Sequence, residues 1–522
     1  MRPLTTAAAA CVAAMAISAA EAQTHGGTLR MIAQPEPPML MLGLNQQGPT
    51  QFVAGKIYEG LLRYDTELQP MPSLAREWSV SEDGLTYIFH LQEGVLWHDG
   101  APFTSDDVAF TLGEFLPSVH PRARGVLANV DRIETPDDLT VEITLSQPFP
   151  AFLSAFEVSS APMIPAHLYR DTDFRDNPAN NEPVGTGPFR FEEWNRGSYI
   201  RLERNPDYWQ EGLPYLDELL FSVVPDAASR VVAFETGRVD VLRGGDIEYF
   251  DVNRLAAMPD VEMTLDGWEF LSPSVWVQFN LRNEPMNDPR FRQAVWHALD
   301  RDFIANTIWS GFATPATGPI SSTTLFFDPD LPEVAQDLDR ARELLDEMGL
   351  TPDSNGVRAR VRFLALPYSE TYLRMGEYVR QQMREIGIET TMTQTDAAGW
   401  AQAIGQWDYD LSMNLLFQFG DPALGVHRAY VSSNLVQGSP SANVSGLDDA
   451  EIDALLAAAG SETDPEERQR LYSEFQRRIV EGAYFGYLVE TQFPTVYRSN
   501  VRNLVTTAIG LNDTMAEVWI ED

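Results

Sequence analysis

The sequence predicts an α/β protein with at least two lobes. The chain has 522 residues, which is long enough for two or three units that each bury a core of their own. Between residues 337 and 416, helical and strand patterns alternate, and two of the helices are stopped by Gly349 and Gly387. Such alternation is typical of a βαβ-type lobe, in which helices cover a sheet.

The first 22 residues are typical of an export signal. Arg2 supplies a positive charge, residues 4–19 are apolar and rich in alanine, and residues 20–22 fit a cleavage site of the A-x-A type. The apolar run is shorter than the ~20 residues that a membrane span needs. We therefore expect an exported protein that begins near Gln23. It would contain no cysteine, because the only one, Cys11, lies in the signal; a lipid anchor on Cys11 is the alternative.

The acidic composition argues against two classes of partner. The formal net charge is −39 at pH 7, and Lys56 is the only lysine. A surface of this sign repels nucleic acids and anionic membranes, so we expect no nucleic-acid partner. The sign of a small ligand is not constrained by this total, because it depends on a few local groups.

Residues 75–112 predict a β-hairpin that leads into a helix. Tyr87, Phe89 and Leu91 follow the period of a half-buried strand. Thr104 and Asp107 have the spacing of a capping box at the start of the next helix.

The remaining elements are predicted from apolar periodicity, caps and turns. Strands are expected at residues 28–32, 141–145, 219–224, 361–366, 388–393 and 409–416, with a hairpin at 185–204. Helices are expected at residues 53–61, 227–236, 289–299, 337–348, 369–386, 397–405, 448–459 and 464–480.

No motif in the sequence predicts an enzyme. Lys56 is not part of a phosphate loop, and a possible dinucleotide fingerprint at residues 185–190 fails because Arg190 replaces its last glycine. His90 and His98 fit exposed strand and turn positions better than metal ligands. We therefore expect no enzymatic activity, no cofactor and no metal. The alternative is an exported hydrolase that uses a pair of carboxylates.

A series of motifs resembles the family 5 solute-binding proteins, which are extracytoplasmic receptors of ABC importers for peptides, nickel and oligosaccharides. The motifs lie in the expected order at residues 78–91, 98–108, 185–189, 204–209, 279–301 and 468–476. The resemblance implies a two-lobed periplasmic-binding-protein (Venus-flytrap) fold with an extra subdomain in the first lobe. It also implies a periplasmic location, an ABC permease in the inner membrane as partner, and a peptide or small molecule as ligand. We expect a monomer.

The same resemblance, with a change of composition near residue 276, implies the domain boundaries. The first lobe would comprise residues 23–275, with a subdomain at about 65–183. The second lobe would comprise residues 276–489, and residues 490–522 would return to the first. Two segments, near residues 274–279 and 490–495, would then cross between the lobes.

The ligand is expected in the cleft between the lobes. Residues 400 and 417–421 follow predicted strands, and ligands of open α/β sheets bind beyond the carboxyl ends of the strands. The candidate ligand-binding residues of this stretch are Trp400, Phe417, Phe419 and Asp421. Trp407 and Tyr409 instead fit the core of the lobe.

The resemblance adds Gln418 and Arg374 as candidates. In peptide-binding relatives, an acid four residues before the proline of this loop pairs with the α-ammonium of the peptide. Counted from Pro422, that position is Gln418, so either Asp421 substitutes for the acid or the ligand has no free amino terminus. Arg374 matches an arginine that can receive a carboxylate in dipeptide-binding relatives, and a solvated helix position is the alternative.

An oligopeptide is the first expectation for the ligand. A modified peptide, an opine, an oligosaccharide and a metal chelate remain open. A role as the ligand-binding partner of a chemoreceptor is not distinguished from transport by the sequence.

Overall fold

A computed structural model describes residues 23–521 of the chain, so the predicted export signal and Cys11 lie outside the described residues. The buried apolar side chains of these residues form three clusters. The first cluster draws mainly on residues 29–221 and 501–518, and the other two mainly on residues 231–496. None of the helices in residues 23–521 has both the length and the apolar character of a membrane span.

The amino-terminal part of the chain forms a four-stranded sheet. Its strand order is Thr28–Ile32, Glu218–Ser222, Tyr199–Arg204 and Phe189–Asn195. The first pair is parallel and the other two are antiparallel. Leu29 and Met31 are buried on the same side as Leu219 and Phe221, because successive strand residues point to opposite faces.

A second four-stranded sheet lies within residues 65–183, for which a subdomain is predicted. Its order is Ala75–Val80, Thr86–Leu91, Thr140–Leu145 and Val130–Asp137, and all its pairs are antiparallel. The predicted hairpin and the strand at 141–145 are confirmed. The capping box is also confirmed, since helix Ser105–Phe110 begins at Thr104 and Asp107 accepts from the Thr104 amide at 3.0 Å.

The largest sheet contains six strands. Its order is Ala313–Pro315, Phe485–Thr491, Ser274–Phe279, Leu411–Leu416, Ala359–Leu364 and Ile388–Thr393. The last three strands are parallel, and helices connect them in the chain. The α/β alternation predicted for residues 337–416 is therefore confirmed. The helices of this part of the molecule are Pro289–His297, Leu338–Glu347, Glu370–Glu385, Ala397–Gly405, Ala450–Ser461 and Pro465–Glu481.

A three-stranded sheet contains the strand that follows Phe485–Thr491 of the six-stranded sheet in the chain. Its order is Val241–Leu242, Thr495–Arg498 and Val261–Thr264. Helices Ala227–Glu235 and Tyr249–Ala256 belong to the same stretch of chain. Residues 492–494 thus connect two sheets, which fits a crossing segment.

Two local predictions, the helix through Leu61 and the exposed position of His98, were wrong. The helix predicted through Val53 and Leu61 ends at Ala54, because the chain beyond it is buried on all sides and Gly55 lies against the backbone of Asn512. Residues 274–279 form a central strand with all six residues buried, and their role as a crossing segment stays a prediction. His98 is half-buried, with Nε2 at 2.9 Å from the Gly187 carbonyl oxygen, so it holds the 185–189 loop. The lobe boundaries stay a prediction.

Two of the sequence motifs meet at a buried carboxylate. Glu59 accepts hydrogen bonds from Thr186 Oγ1 and Tyr208 Oη at 2.8 Å and from Trp209 Nε1 at 3.2 and 3.3 Å. We call these four residues the Glu59 cluster. Burial raises the pKa of Glu59 to about 7, although the three hydrogen bonds act in the opposite direction. The motifs at residues 185–189 and 204–209 therefore stabilise the scaffold.

Candidate functional site

A cavity of about 640 Å³ lies beside one face of the six-stranded sheet. Its walls come from the strands Ser274–Phe279 and Leu411–Leu416, the starts of the helices Glu370–Glu385 and Ala397–Gly405, and residues 245–249. The lining also includes Trp309, Phe417, Phe419, Arg428, Ala429, residues 440–442, Val444 and Phe493. The size suits a ligand of a few hundred daltons, since small-molecule sites are about 300–1,000 Å³.

The floor of the cavity is a short row of side chains from two paired strands. Trp276 lies directly opposite Asn414, and both alternate with residues that face the other side of the sheet. Trp276 Nε1 donates to Gln278 Oε1 at 3.0 Å, and the Asn414 amide reaches the same oxygen at 3.5 Å. These bonds fix the indole and the two amides, so the floor is polar and ordered.

The side wall is a chain of aromatic rings in contact. Tyr368 lies 5.7 Å from Trp400 and 6.4 Å from Tyr372, and Tyr372 continues to Trp309 at 5.2 Å, all between ring centroids. Trp309 meets Tyr249 at 5.1 Å. Tyr368 is half exposed, whereas the other four are buried. Such a wall offers apolar surface and ring faces to a ligand at little cost in conformational entropy.

Two charged residues, Glu248 and Arg428, are among the described residues that line the cavity. Glu248 forms an ion pair with Arg374 at 3.4 Å. Arg428 donates from Nε to the Gly425 carbonyl oxygen at 3.1 Å. Burial lowers the pKa of Arg428 to about 10, and repulsion from Arg122 acts in the same direction. The lining thus contains one acid that is paired with Arg374 and one arginine, Arg428.

Phe419 lies beside two guanidinium groups. Its ring centroid lies 4.1 Å from the guanidinium carbon of Arg122 and 5.7 Å from that of Arg428. The backbone of Phe419 is left-handed, with φ at 55°, which is uncommon for a residue that is not glycine. Strain of this kind is retained where the surroundings impose it, and it is frequent at binding sites.

Residues 69–437 match the model of the bacterial extracellular solute-binding proteins, family 5 Middle. The chain belongs to this family. Among relatives of the family 5 protein is the glutathione-binding protein GsiB of Salmonella typhimurium. It is 28% identical over 481 residues, and the match covers 87% of this chain and 86% of GsiB.

Solved structures agree with the fold of this family 5 protein. AgaA from A. tumefaciens R10, in complex with agropinic acid, has a TM-score of 0.78 at 26% identity. The match covers 95% of this chain and 99% of AgaA. The oligopeptide-binding protein AppA from Bacillus subtilis, in complex with a nonapeptide, has a TM-score of 0.79 at 23% identity and covers 96% of this chain and 100% of AppA. The two-lobed periplasmic-binding-protein fold is therefore confirmed.

Three of the predicted ligand-binding residues line the cavity of the family 5 protein: Trp400, Phe417 and Phe419. Trp400 is oriented by a hydrogen bond from Nε1 to Ser412 Oγ at 3.3 Å. Phe417 lies 6.2 Å from Phe419 between ring centroids. The structure brings these rings together because they follow neighbouring elements at one edge of the sheet.

The other three predicted residues are not among those that line it. Gln418 is fully buried and donates to the Pro319 carbonyl oxygen at 3.3 Å. Asp421 is buried, caps the helix Pro422–Gly425, and accepts two bonds of 3.0 Å from Arg468. Arg374 is half exposed and is bound to Glu248 and to Thr371 Oγ1.

Sequence reasoning missed several lining residues, including Trp276, Gln278, Tyr368 and Arg428. Trp276 and Gln278 belong to an apolar strand whose sequence looks like core. Tyr368 and Tyr372 have helical spacing near the start of a predicted helix. This spacing indicates only weakly that the two rings lie at an exposed edge of the helix. Arg428 lies in no motif, so only the tertiary structure identifies it.

Proposed function

We propose that this protein is the substrate-binding component of an ABC importer, and that it captures a peptide-like solute in the 640 Å³ cavity. The observation that carries the proposal is the cavity itself. It joins an aromatic wall to one acidic and one basic residue in a member of a solute-binding family. The relatives named as glutathione-binding proteins support a short peptide as the ligand class.

In this proposal the ligand stabilises a closed arrangement of the lobes. Contacts to the sheet floor and the aromatic wall would act together with contacts to residues 245–249. Only the difference between the affinities for the closed and the open form drives closure. Trp400, Phe417 and Phe419 would cover the apolar part of the solute, and Arg428 would orient a polar group.

The proposal includes a location and a partner. The protein would act in the periplasm as a monomer and deliver the closed complex to a permease in the inner membrane. The carboxylate-dependent hydrolase is not favoured. Among the described residues, Glu248 is the one carboxylate of the lining, and a pair is needed for that chemistry.

The test is to identify the solute that the protein carries. The protein is purified from its own periplasm, weighed by native mass spectrometry, and then denatured to release bound molecules. We expect short peptides or a peptide-like compound, and small-angle scattering should show a more compact protein when the solute is added back. A single opine, oligosaccharide or chelate would correct the ligand class. Absence of any solute and of any compaction would contradict the function.

A further inference from the structure

We infer that the solute carries an anionic group, such as a carboxylate, and that Arg428 binds it. The inference rests on the proposed function, because it names the chemistry of one end of the ligand in the same cavity. It depends on three features: the hydrogen bonding of Arg428, the pairing of the opposite charge, and the position of Arg122.

The guanidinium of Arg428 has N–H donors that are available to a ligand. Its Nε is used by the Gly425 carbonyl oxygen, and in residues 23–521 neither terminal nitrogen has a hydrogen-bond acceptor or a carboxylate within ion-pair distance. The side chain lines the cavity and is half-buried. A guanidinium in such surroundings is stabilised by an anion that accepts two parallel bonds, which is the geometry of a carboxylate.

The opposite charge in the cavity is already neutralised. Glu248 pairs with Arg374, which also donates to Thr371 Oγ1 at 2.8 Å. The pair contributes no net charge to the ligand site. The positive charge that remains is that of Arg428, so the cavity favours an anion over a cation.

Arg122 is a second guanidinium beside Phe419. It lies at the start of helix Pro121–Leu127, next to the second four-stranded sheet, and donates to the Ser159 carbonyl oxygen and to Ser160 Oγ, each at 3.0 Å. It also forms an ion pair with the buried Glu157 at 4.0 Å, so its charge is partly balanced. Arg122 and Arg428 thus bring two guanidinium groups to the same ring from different parts of the molecule.

This arrangement gives the anion a role in closure. Two guanidinium groups that approach each other in a poorly hydrated space repel, so the closed form is opposed when the cavity is empty. An anion bound to Arg428 reduces this repulsion. The affinity of the ligand for the closed form would then depend on its charge as well as on its shape.

The test compares each released solute with its neutral derivative. The solutes released from the purified wild-type protein are divided into two portions, and the carboxylates in one portion are converted to methyl esters. Both portions are titrated against wild type, Arg428→Gln and Arg428→Lys by calorimetry. Arg470→Gln is the matched control, because it removes the same charge from an exposed helix position paired with Glu467 and Glu474.

The expected result is a charge-specific loss. Wild type should bind the acids about 30-fold or more tightly than the esters, and Arg428→Gln should abolish this difference, since one partner of a buried charge pair is removed. Arg428→Lys should restore part of it, and Arg470→Gln should behave as wild type.

Different results would overturn the anionic inference and the proposed function. Equal binding of acid and ester by wild type, or a preference that survives in Arg428→Gln, would overturn the anionic inference while solute binding stands. A released solute without an acidic group would do the same. A protein that carries and binds no solute would overturn the proposed function, and the inference with it.

Discussion

The Glu59 cluster and the cavity are both polar sites enclosed by aromatic rings, but they differ in how their polar groups are paired. Both oxygens of Glu59 are occupied by donors from Thr186, Tyr208 and Trp209. In the cavity, within the described residues, the terminal nitrogens of Arg428 and the buried Nε1 of Trp309 have no partner. A closed network stabilises the fold, whereas unpaired groups in a cavity indicate where a ligand supplies the missing partner.

The two sites also differ in their relation to the sequence motifs. Thr186, Tyr208 and Trp209 belong to motifs by which the family resemblance is recognised. Trp400, Phe419 and Arg428 lie outside those motifs. The difference suggests that the motifs maintain the scaffold, while ligand specificity depends on segments between them. Variants in the motifs should therefore lower the stability of the protein, whereas variants of the cavity lining should lower its affinity for the solute.

The largest expected effect is on stability at Asp421, which lies beside the cavity but is paired as completely as Glu59. Replacing it in Asp421→Ala leaves the buried Arg468 without its carboxylate. We expect the free energy of unfolding to fall by about 3–5 kcal/mol in denaturant titrations. The exposed pair of Arg470 and Glu467 is the control, and Arg470→Ala should cost less than about 1 kcal/mol.

This variant also decides where Asp421 belongs. If Asp421→Ala keeps its stability but loses solute affinity, Asp421 is a ligand-binding residue, as the sequence alternative proposed. If it loses stability while the folded fraction binds normally, Asp421 belongs to the scaffold.

The second effect is a pH dependence that originates at Glu59. Its pKa in the folded protein is about 7, above the usual 4.5, so the stability due to this shift is fully present below pH 4.5 and is lost as the pH rises through 7. Glu59→Gln stays neutral throughout. The stability of wild type relative to Glu59→Gln should therefore decrease by about 3 kcal/mol between pH 4.5 and pH 8.

Urea unfolding of both proteins at several pH values measures this difference. The comparison with Glu59→Gln cancels other buried acids, such as Asp246, whose pKa is also raised by burial. A difference that stays constant over this range would show that Glu59 is already ionised at pH 5.

The smallest effect is expected at Tyr368, a wall residue of the cavity that is half exposed. Tyr368→Ala should lower solute affinity about 10-fold through the lost ring contacts, while stability changes by less than about 1 kcal/mol. Phe303→Ala is the control, because Phe303 is also partly exposed but stacks on Tyr378 outside this cavity. A similar loss of affinity in both variants would mean that Tyr368 does not contact the solute.

Much of the fold was predicted because its signals are local. The capping box of Thr104 and Asp107, the strand at Ile388–Thr393 and the helix Ala397–Gly405 depend on neighbouring residues in the chain, and the structure has them as expected. The helix beyond Ala54 failed for the opposite reason. Its apolar spacing arises from burial on all sides, including contact of Gly55 with a segment more than 400 residues away.

The sequence by itself determined the α/β class, most helices and strands, the family resemblance and the aromatic stretch that contains Trp400, Phe417 and Phe419. These features follow from periodicity, caps and turn residues, which act over a few positions. The tertiary structure decided which polar groups find partners. It paired Asp421 with Arg468, joined Arg374 to Glu248, and left Arg428 facing the cavity. Ion pairs between distant segments produce no periodic pattern in the sequence, because only the folded chain decides which acid lies close to which base.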